Sequence, residues 1–379
     1  MAEIKDRILP IGIQSFEEIR KKGYLYVDKT DIIWQLANRG RKYNYLSRPR
    51  RFGKSVLVDT LQAYFEGRKE LFEGLKIKDL ETEWTKHPVI RLDMSRAGSS
   101  AHELNAYLNQ AFKEYEQKYD IEVSPTNTLS NRFNTIIQSA NQQTGQQVVV
   151  LVEGYDSPLL NSWNTPHHEE CVSIYLNVFT ILKADDEYEE FVLITGTTKF
   201  TKLSLFSGLN NLSNISFEPE YAAICGITKE ELLNDFKTEI EKLANNENCT
   251  FDEAVAQLQT YYGGYHFSQR NMTEIFNPFS LIKALSLAKI DNYWDSTETA
   301  ALLPTLKISL EKRLEDLENC ALMNTIIETA DASEGGAELF LYQSGYLTIK
   351  EHYDRVYLLG FPNQEVRQAL YEKVLPAHI

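Results

Sequence analysis

The chain has 379 residues, of which 43% are hydrophobic and 25% are charged, and this length predicts more than one domain. The 54 acidic residues outnumber the 39 basic ones, and a net charge of −15 argues against a surface that coats nucleic acid. The four scattered cysteines form no C-x-x-C pair, which argues against a disulfide framework or a zinc site. The N-terminus lacks the apolar region of a signal peptide, and no apolar run is long enough to span a bilayer. We therefore expect a cytoplasmic protein with no membrane partner.

The first elements are short. Ser15 and Glu18 form a predicted capping box for a helix that ends at Gly23. Residues 24–27 then read as a strand, and residues 31–38 as a second helix.

A basic turn follows the next β-prone run, residues 43–46, and precedes a helical rhythm that starts at Ser55. The turn, residues 47–55, reads Ser-Arg-Pro-Arg-Arg-Phe-Gly-Lys-Ser and ends like a Walker A motif. In such a loop, backbone N–H groups surround phosphate, a lysine reaches the β- and γ-phosphates, and a hydroxyl contacts Mg²⁺. Gly53, Lys54 and Ser55 are predicted to fill these roles for bound ATP.

Three arginines and a phenylalanine complete the predicted cofactor-binding loop: Arg48, Arg50, Arg51 and Phe52. Arg48 stands where a Walker A motif has its first glycine. The arginines have three interpretations: they add to the grip on phosphate, they contact another anion such as nucleic acid, or they belong to a solvated turn. Their place beside Lys54 favours the first.

Three further apolar runs predict buried strands, and each is followed by a polar residue. The runs are residues 89–92, 148–152 and 191–194, followed by Asp93, Glu153 and Thr195. Helical stretches separate them, at about residues 101–119, 128–142 and 168–184. This alternation predicts an α/β fold with a parallel sheet and with ligand groups at the carboxyl ends of its strands.

The pattern changes after about residue 227, where Thr228 and Glu231 form a second predicted capping box. Polar helical segments follow, and the end of the chain reads as helices, two strands (residues 346–350 and 355–359) and a helix. We predict a P-loop domain over residues 1–225, a helical segment over 226–310 and a winged-helix-like region over 311–379.

Several strings resemble the AAA-ATPase-like family of bacterial P-loop proteins. They are Gly-Tyr-Leu-Tyr-Val-Asp-Lys-Thr (23–30), the turn at 47–55, Tyr-Phe-Glu-Gly (64–67), Pro-Val-Ile-Arg-Leu-Asp (88–93), Phe-Ser-Gly-Leu-Asn-Asn-Leu (206–212), Asn-Pro-Phe-Ser (277–280) and Gly-Tyr-Leu-Thr (345–348). The resemblance implies a P-loop ATPase core that uses ATP and Mg²⁺, and it makes Arg48 typical of the family. Relatives commonly continue into a PD-(D/E)XK nuclease-like domain, which we expect to be absent here. A Glu-x-Lys string, Glu116 to Lys118, lies in a helical stretch that looks solvated.

The Walker B strand departs from the family pattern. Relatives read Asp-Glu-Tyr-Asp after the apolar run, and this chain reads Glu153-Gly154-Tyr155-Asp156. Glu153 can still offer a carboxylate to Mg²⁺ together with Ser55, but Gly154 cannot orient or deprotonate a water molecule. Loss of a general base costs roughly 10²–10⁴ in rate, so we expect weak or absent hydrolysis. Asp156 or Asp93 is an alternative base, and Asp156 is equally interpretable as a helix cap.

Thr195 takes the place at which P-loop ATPases of this type keep a polar sensor of the γ-phosphate, and Lys199 follows it in the next loop. Three functions stay open. The chain is a Mg²⁺-dependent ATPase, a nucleotide-gated switch or scaffold that binds ATP without useful turnover, or a nucleic-acid-associated adaptor. Gly154 favours the second over the first, and the acidic charge counts against the third. A protein partner or a homo-oligomer is compatible with each.

Overall fold

The computed structural model describes residues 8–124, 126–198, 212–294, 315–329 and 336–374. The strands are β1 (Tyr43–Ser47), β2 (Val89–Asp93), β3 (Val148–Glu153), β4 (Glu189–Gly196), β5 (Ser213–Asn214), β6 (Ile227–Thr228), β7 (Ile275–Phe276), β8 (Cys320–Met323), β9 (Thr348–Tyr353) and β10 (Val356–Gly360). The α-helices are α1 (Phe16–Lys22), α2 (Thr30–Asn38), α3 (Lys54–Phe65), α4 (Ala101–Lys118), α5 (Leu129–Thr144), α6 (Ser157–Ser162), α7 (His168–Phe179), α8 (Ile181–Ala184), α9 (Lys229–Asp235), α10 (Lys237–Asn246), α11 (Phe251–Tyr262), α12 (Pro278–Leu287), α13 (Asn324–Thr329), α14 (Gly336–Ser344) and α15 (Gln364–Val374).

These elements form two compact units, neither of which is continuous in sequence. The sheet unit consists of the described residues of 33–47 and 58–215, and the loop unit consists of those of 1–32, 48–57 and 216–379. The predicted domain boundaries at 225 and 310 stay predictions. The compact units group the phosphate loop and the N-terminal residues with the C-terminal part of the chain.

The sheet unit contains a five-stranded parallel sheet in the order β2-β3-β4-β1-β5. The register places Asp93 opposite Glu153, Val152 opposite Ile194, and Leu46 opposite Thr195. The polar residues that follow the apolar runs therefore lie at one edge of the sheet. This confirms the predicted α/β class.

Both faces of the sheet are buried, which explains why the strand sequences are largely apolar. Alternate strand residues such as Ile90, Val150 and Val192 belong to a core shared with α4, α5 and α7. On the opposite face Phe191 packs on Phe65 of α3, with ring centroids 5.1 Å apart. A strand buried on one side only would show alternating polar residues, so these runs are typical of parallel strands covered on both faces.

The loop unit has a separate core, formed mainly by α9 to α12. The predicted capping box is present at the start of α9. The Thr228 side chain accepts a hydrogen bond from the Glu231 N–H, and the Glu231 carboxylate accepts one from the Thr228 N–H. Strands β6 and β7 pair antiparallel beside it. Near the C-terminus β8, β10 and β9 form an antiparallel sheet, in that order.

Two predicted details differ from the structure. Residues 24–27 form no strand, since their backbone pairs with no strand among the described residues. The Leu25 N–H donates one hydrogen bond to the Ile8 carbonyl. The C-terminal sheet has a third strand, β8, which the sequence analysis missed, and the winged-helix-like arrangement stays a prediction. None of the described helices has the length and apolarity needed to cross a membrane.

Candidate functional site

The phosphate loop begins where β1 ends, at Ser47, and closes at Lys54, the first residue of α3. The Lys54 ammonium donates to the backbone carbonyls of Arg48 and Pro49, at 2.7 and 2.8 Å. The loop therefore curves around its own lysine. Gly53 has φ of +87°, and nothing lies within 4 Å of the position that a Cβ would take. Glycine is needed there for its backbone conformation, and the backbone at this point faces open space.

Ser55 lies in the first turn of α3 and is half-buried. A helix N-terminus presents unpaired N–H groups and a partial positive charge, which favours an anion such as phosphate. The strand, turn and helix that a phosphate loop requires are therefore present around Lys54 and Ser55.

The Arg48 side chain is buried, with 2% of its surface exposed. Its guanidinium donates to the carbonyls of Ser216 and Tyr221, at 2.9 and 2.8 Å, and lies 4.2 Å from the centre of the Phe267 ring. This placement differs from the predicted contact with phosphate, because the guanidinium would have to leave three buried partners to reach a ligand. In the structure Arg48 anchors the loop.

Arg51 is exposed and has φ of +65°, an unusual conformation for a residue with a side chain. Its guanidinium lies 4.3 Å from the Phe279 ring centre and donates to the Tyr293 carbonyl at 3.4 Å. Arg50 is half-buried. Of the three arginines, Arg48 and Arg51 thus have their side chains directed to residues of the loop unit.

Phe52 is fully buried, so its side chain serves packing. Its ring meets Tyr265 and Phe267 edge-on, with centroids 4.7 and 5.4 Å away, and its carbonyl accepts the Gly226 N–H at 3.1 Å. Only the backbone of Phe52 is left to meet a ligand. The aromatic turn near residue 265 thereby supports the phosphate loop.

The Glu153 carboxylate, at the end of β3, is already paired. Its Oε2 accepts a hydrogen bond from Arg91 Nη2 at 3.0 Å. Arg91 Nη1 also donates to Asp59 Oδ1 at 2.6 Å and to Gln62 Oε1 at 3.1 Å, both on α3. Arg91 thus links β2, β3 and α3 within the sheet unit. The described residues contain no group of three or more His, Cys, Asp or Glu side chains able to hold a metal.

Gly154 follows Glu153 with φ of +59°, in the left-handed region. A Cβ there would lie 3.2 Å from Ser157 Oγ and 3.4 Å from Ser95 N. The backbone has thus adapted to glycine, because other L-residues pay about 1–2 kcal/mol for this conformation. A glutamate at this position would therefore have to adopt the left-handed backbone conformation.

Asp156 and Thr195 face the protein interior. Asp156 is 2% exposed, and its Oδ2 accepts the N–H groups of Thr197 and Thr198, at 2.9 and 2.7 Å, and the Thr198 hydroxyl at 2.8 Å. The buried Thr195 hydroxyl donates to the Val152 carbonyl at 3.4 Å. Asp156 precedes α6 without a side-chain capping bond. With three donors on one oxygen, it organises the turn after β4.

The family model described as AAA-ATPase_like, "Predicted AAA-ATPase", matches residues 10–206, more than half of the 379 residues. A protein of Azotobacter chroococcum mcd 1, described as an uncharacterized protein in the vnfD 5′ region, is 33% identical over 376 residues. The match covers 97% of this chain and 70% of that protein. The chain belongs to the predicted AAA-ATPase family.

Solved structures give weaker matches. The crystal structure of Cdc6p from Pyrobaculum aerophilum matches with 12% identity and a TM-score of 0.28, covering 92% of this chain and 95% of that one. The Aeropyrum pernix ORC1 protein, in complex with DNA, matches with 9% identity and a TM-score of 0.24, over 90% and 89% of the two chains. Scores this low do not establish a shared fold.

The alternative base Asp93 and the Glu-x-Lys residue Glu116 both have hydrogen-bond partners in the structure. Asp93 accepts the Ser95 N–H at 3.2 Å and pairs with Arg96 at 2.9 Å. Glu116, predicted to be solvated, is instead 5% exposed and forms a two-pronged ion pair with Arg132, at 2.6 and 2.8 Å. Lys199 lies outside the described residues. The Glu-x-Lys string is thus part of a structural pairing between α4 and α5.

Sequence reasoning missed Arg91. The signal was a basic residue inside an otherwise apolar run, Val-Ile-Arg-Leu, spaced to share a strand face with Asp93. Its partners lie 32 and 62 positions along the chain, so no local pattern identifies them.

Proposed function

We propose that this chain binds ATP at the phosphate loop, with Lys54 holding the β- and γ-phosphates, and that it turns the nucleotide over slowly or not at all. It acts as a nucleotide-gated switch or scaffold rather than as an efficient ATPase. Membership of the predicted AAA-ATPase family supports the binding of a nucleotide. Ser55 and Glu153 stay the predicted Mg²⁺ ligands.

The loop geometry around Lys54 carries this proposal. The ammonium spans two carbonyls of its own loop at hydrogen-bond distance, at the start of a twelve-residue helix. Phosphate oxygens form stronger, charge-assisted bonds with an ammonium than carbonyls do. An arriving phosphate therefore meets a cation and a helix N-terminus at one place.

Slow turnover follows from residues of the sheet unit. Gly154 offers no carboxylate, and the alternative bases Asp93 and Asp156 both accept hydrogen bonds from nearby turns. Both carboxylates are therefore engaged in organising the turns that follow their strands. Weak hydrolysis is thus expected even with a well-bound nucleotide.

Replacement of the loop lysine tests the binding claim. Lys54→Ala should weaken Mg-ATP binding at least about tenfold, because a hydrogen bond to a charged group is lost. The measurement is isothermal titration calorimetry, with unfolding curves to verify the fold. Lys113→Ala, which removes an exposed lysine of α4, is the matched control and should bind like the wild type. Equal affinity in a folded Lys54→Ala protein would contradict the phosphate-loop assignment.

A further inference from the structure

Arg91 projects from β2 on the face opposite the α4, α5 and α7 core, to which its neighbours Ile90 and Leu92 belong. The guanidinium is bound by Asp59, Gln62 and Glu153, at 2.6, 3.1 and 3.0 Å. A single cation thus holds the carboxylate that the sequence assigns to the metal.

The burial of this pair makes it persistent. The side chains of Arg91 and Glu153 are 24% and 12% exposed, so water screens the charges only in part. Arginine remains charged at every physiological pH.

A divalent cation does not fit this arrangement without displacing a group. Magnesium prefers several oxygen ligands in a near-ideal octahedron. Here one Glu153 oxygen is bonded to a guanidinium, and the described residues contain no three-ligand cluster. The ligands available at Glu153 therefore do not fit a tightly bound divalent metal.

We propose that Arg91 is a built-in cation at the Walker B carboxylate, so that a divalent metal reaches Glu153 only by displacing the guanidinium. Nucleotide binding should in consequence depend little on divalent metal. Arg91 is a positioning residue, since it acts through Glu153. This inference rests on the proposed nucleotide binding for its first test, and the second test is independent of it.

The first test is the affinity for ATP in Mg²⁺ and in excess EDTA. The wild type should bind within about tenfold under the two conditions, and Arg91→Gln should lose more than about tenfold when metal is removed. Arg91→Lys, which keeps the charge, should behave like the wild type. Arg96→Gln, which breaks the exposed pair with Asp93 on the same strand, is the matched control. Equal metal dependence in the wild type and Arg91→Gln would overturn the inference.

The second test uses Mn²⁺ alone, followed by electron paramagnetic resonance of the free ion. Arg91→Gln should bind Mn²⁺ at least about tenfold more tightly than the wild type, because Glu153 and Asp59 lose their cation. Equal binding would overturn the inference even if ATP binding is established. Tighter Mn²⁺ binding by Arg91→Gln would support it even if neither protein binds ATP, which would refute only the proposed function.

Discussion

Glu189, the first residue of β4, is a buried carboxylate that the nucleotide chemistry does not use. It is fully buried, and burial raises its pKa to about 8. The sequence gives no sign of this, since Glu189 and the exposed Glu190 stand side by side. Only the three-dimensional neighbourhood distinguishes them.

The raised pKa has a definite consequence for stability. Between the ordinary pKa of 4.5 and about 8, the folded state holds a proton on Glu189 that the unfolded state has lost. Stability from this proton is present below pH 4.5 and is lost as pH rises through about 8. Glu189→Gln should therefore flatten the dependence of Tm on pH between 5 and 8.

Calorimetric unfolding across that pH range measures the effect. Relative to wild type, Glu189→Gln should gain more stability at pH 8 than at pH 5. Glu190→Gln, one residue along the same strand and exposed, should leave the pH profile unchanged. A wild-type slope that survives in Glu189→Gln would show that another group carries the proton.

Among the elements, the parallel strands β2 and β3 were predictable because their pattern is local. Apolar runs followed by Asp93 and Glu153 define β2 and β3, and the capping boxes define helix starts. Strand β8 was not predictable, since Cys-Ala-Leu-Met is short and lacks β-branched residues. Residues 24–27 show the reverse, a β-prone string that finds no partner strand.

The phosphate loop shows the same limit at the level of one element. Its lysine and glycine were readable from the motif, but the environment of Arg48 was not. The partners of Arg48 lie 168 and 173 positions later in the chain. Charge alone predicts that an arginine beside a Walker lysine contacts phosphate. In the structure the Arg48 side chain instead donates to two backbone carbonyls that are distant in sequence.

Arg48→Ala should therefore destabilise the protein, by about 3 kcal/mol or more, because two buried carbonyls lose their donor and a cavity forms. Urea-induced unfolding is the measurement. Arg50→Ala, two residues along and half-buried, is the control and should change stability far less. Unchanged stability in Arg48→Ala together with weaker ATP binding would restore the predicted role at phosphate.

For the whole molecule, chain order and compact units do not coincide. The phosphate loop is grouped with residues from 216 onward, although β1 and most of α3 belong to the sheet unit. The predicted domains were continuous segments and could not describe units built from separate segments, because a sequence pattern reports only on neighbours along the chain. The family match ends at residue 206, so most of the residues that anchor the loop lie beyond it.

The central claim is that the whole protein binds ATP without appreciable turnover. A carboxylate introduced at position 154 tests whether the missing general base is what limits turnover. Gly154→Glu and Gly154→Gln place side chains of nearly equal size at φ of +59°, so both bear the same backbone strain. They differ in the carboxylate alone, and only Gly154→Glu should raise the rate, by up to roughly 10²–10⁴.

Phosphate release per ATP-bound protein is the most direct measurement, with binding determined by calorimetry on the same sample. We predict wild-type release near background and near-background release from Gly154→Gln, beside saturable ATP binding in both. Robust wild-type turnover that Lys54→Ala abolishes would contradict the account and would show that another residue of this chain serves as the base.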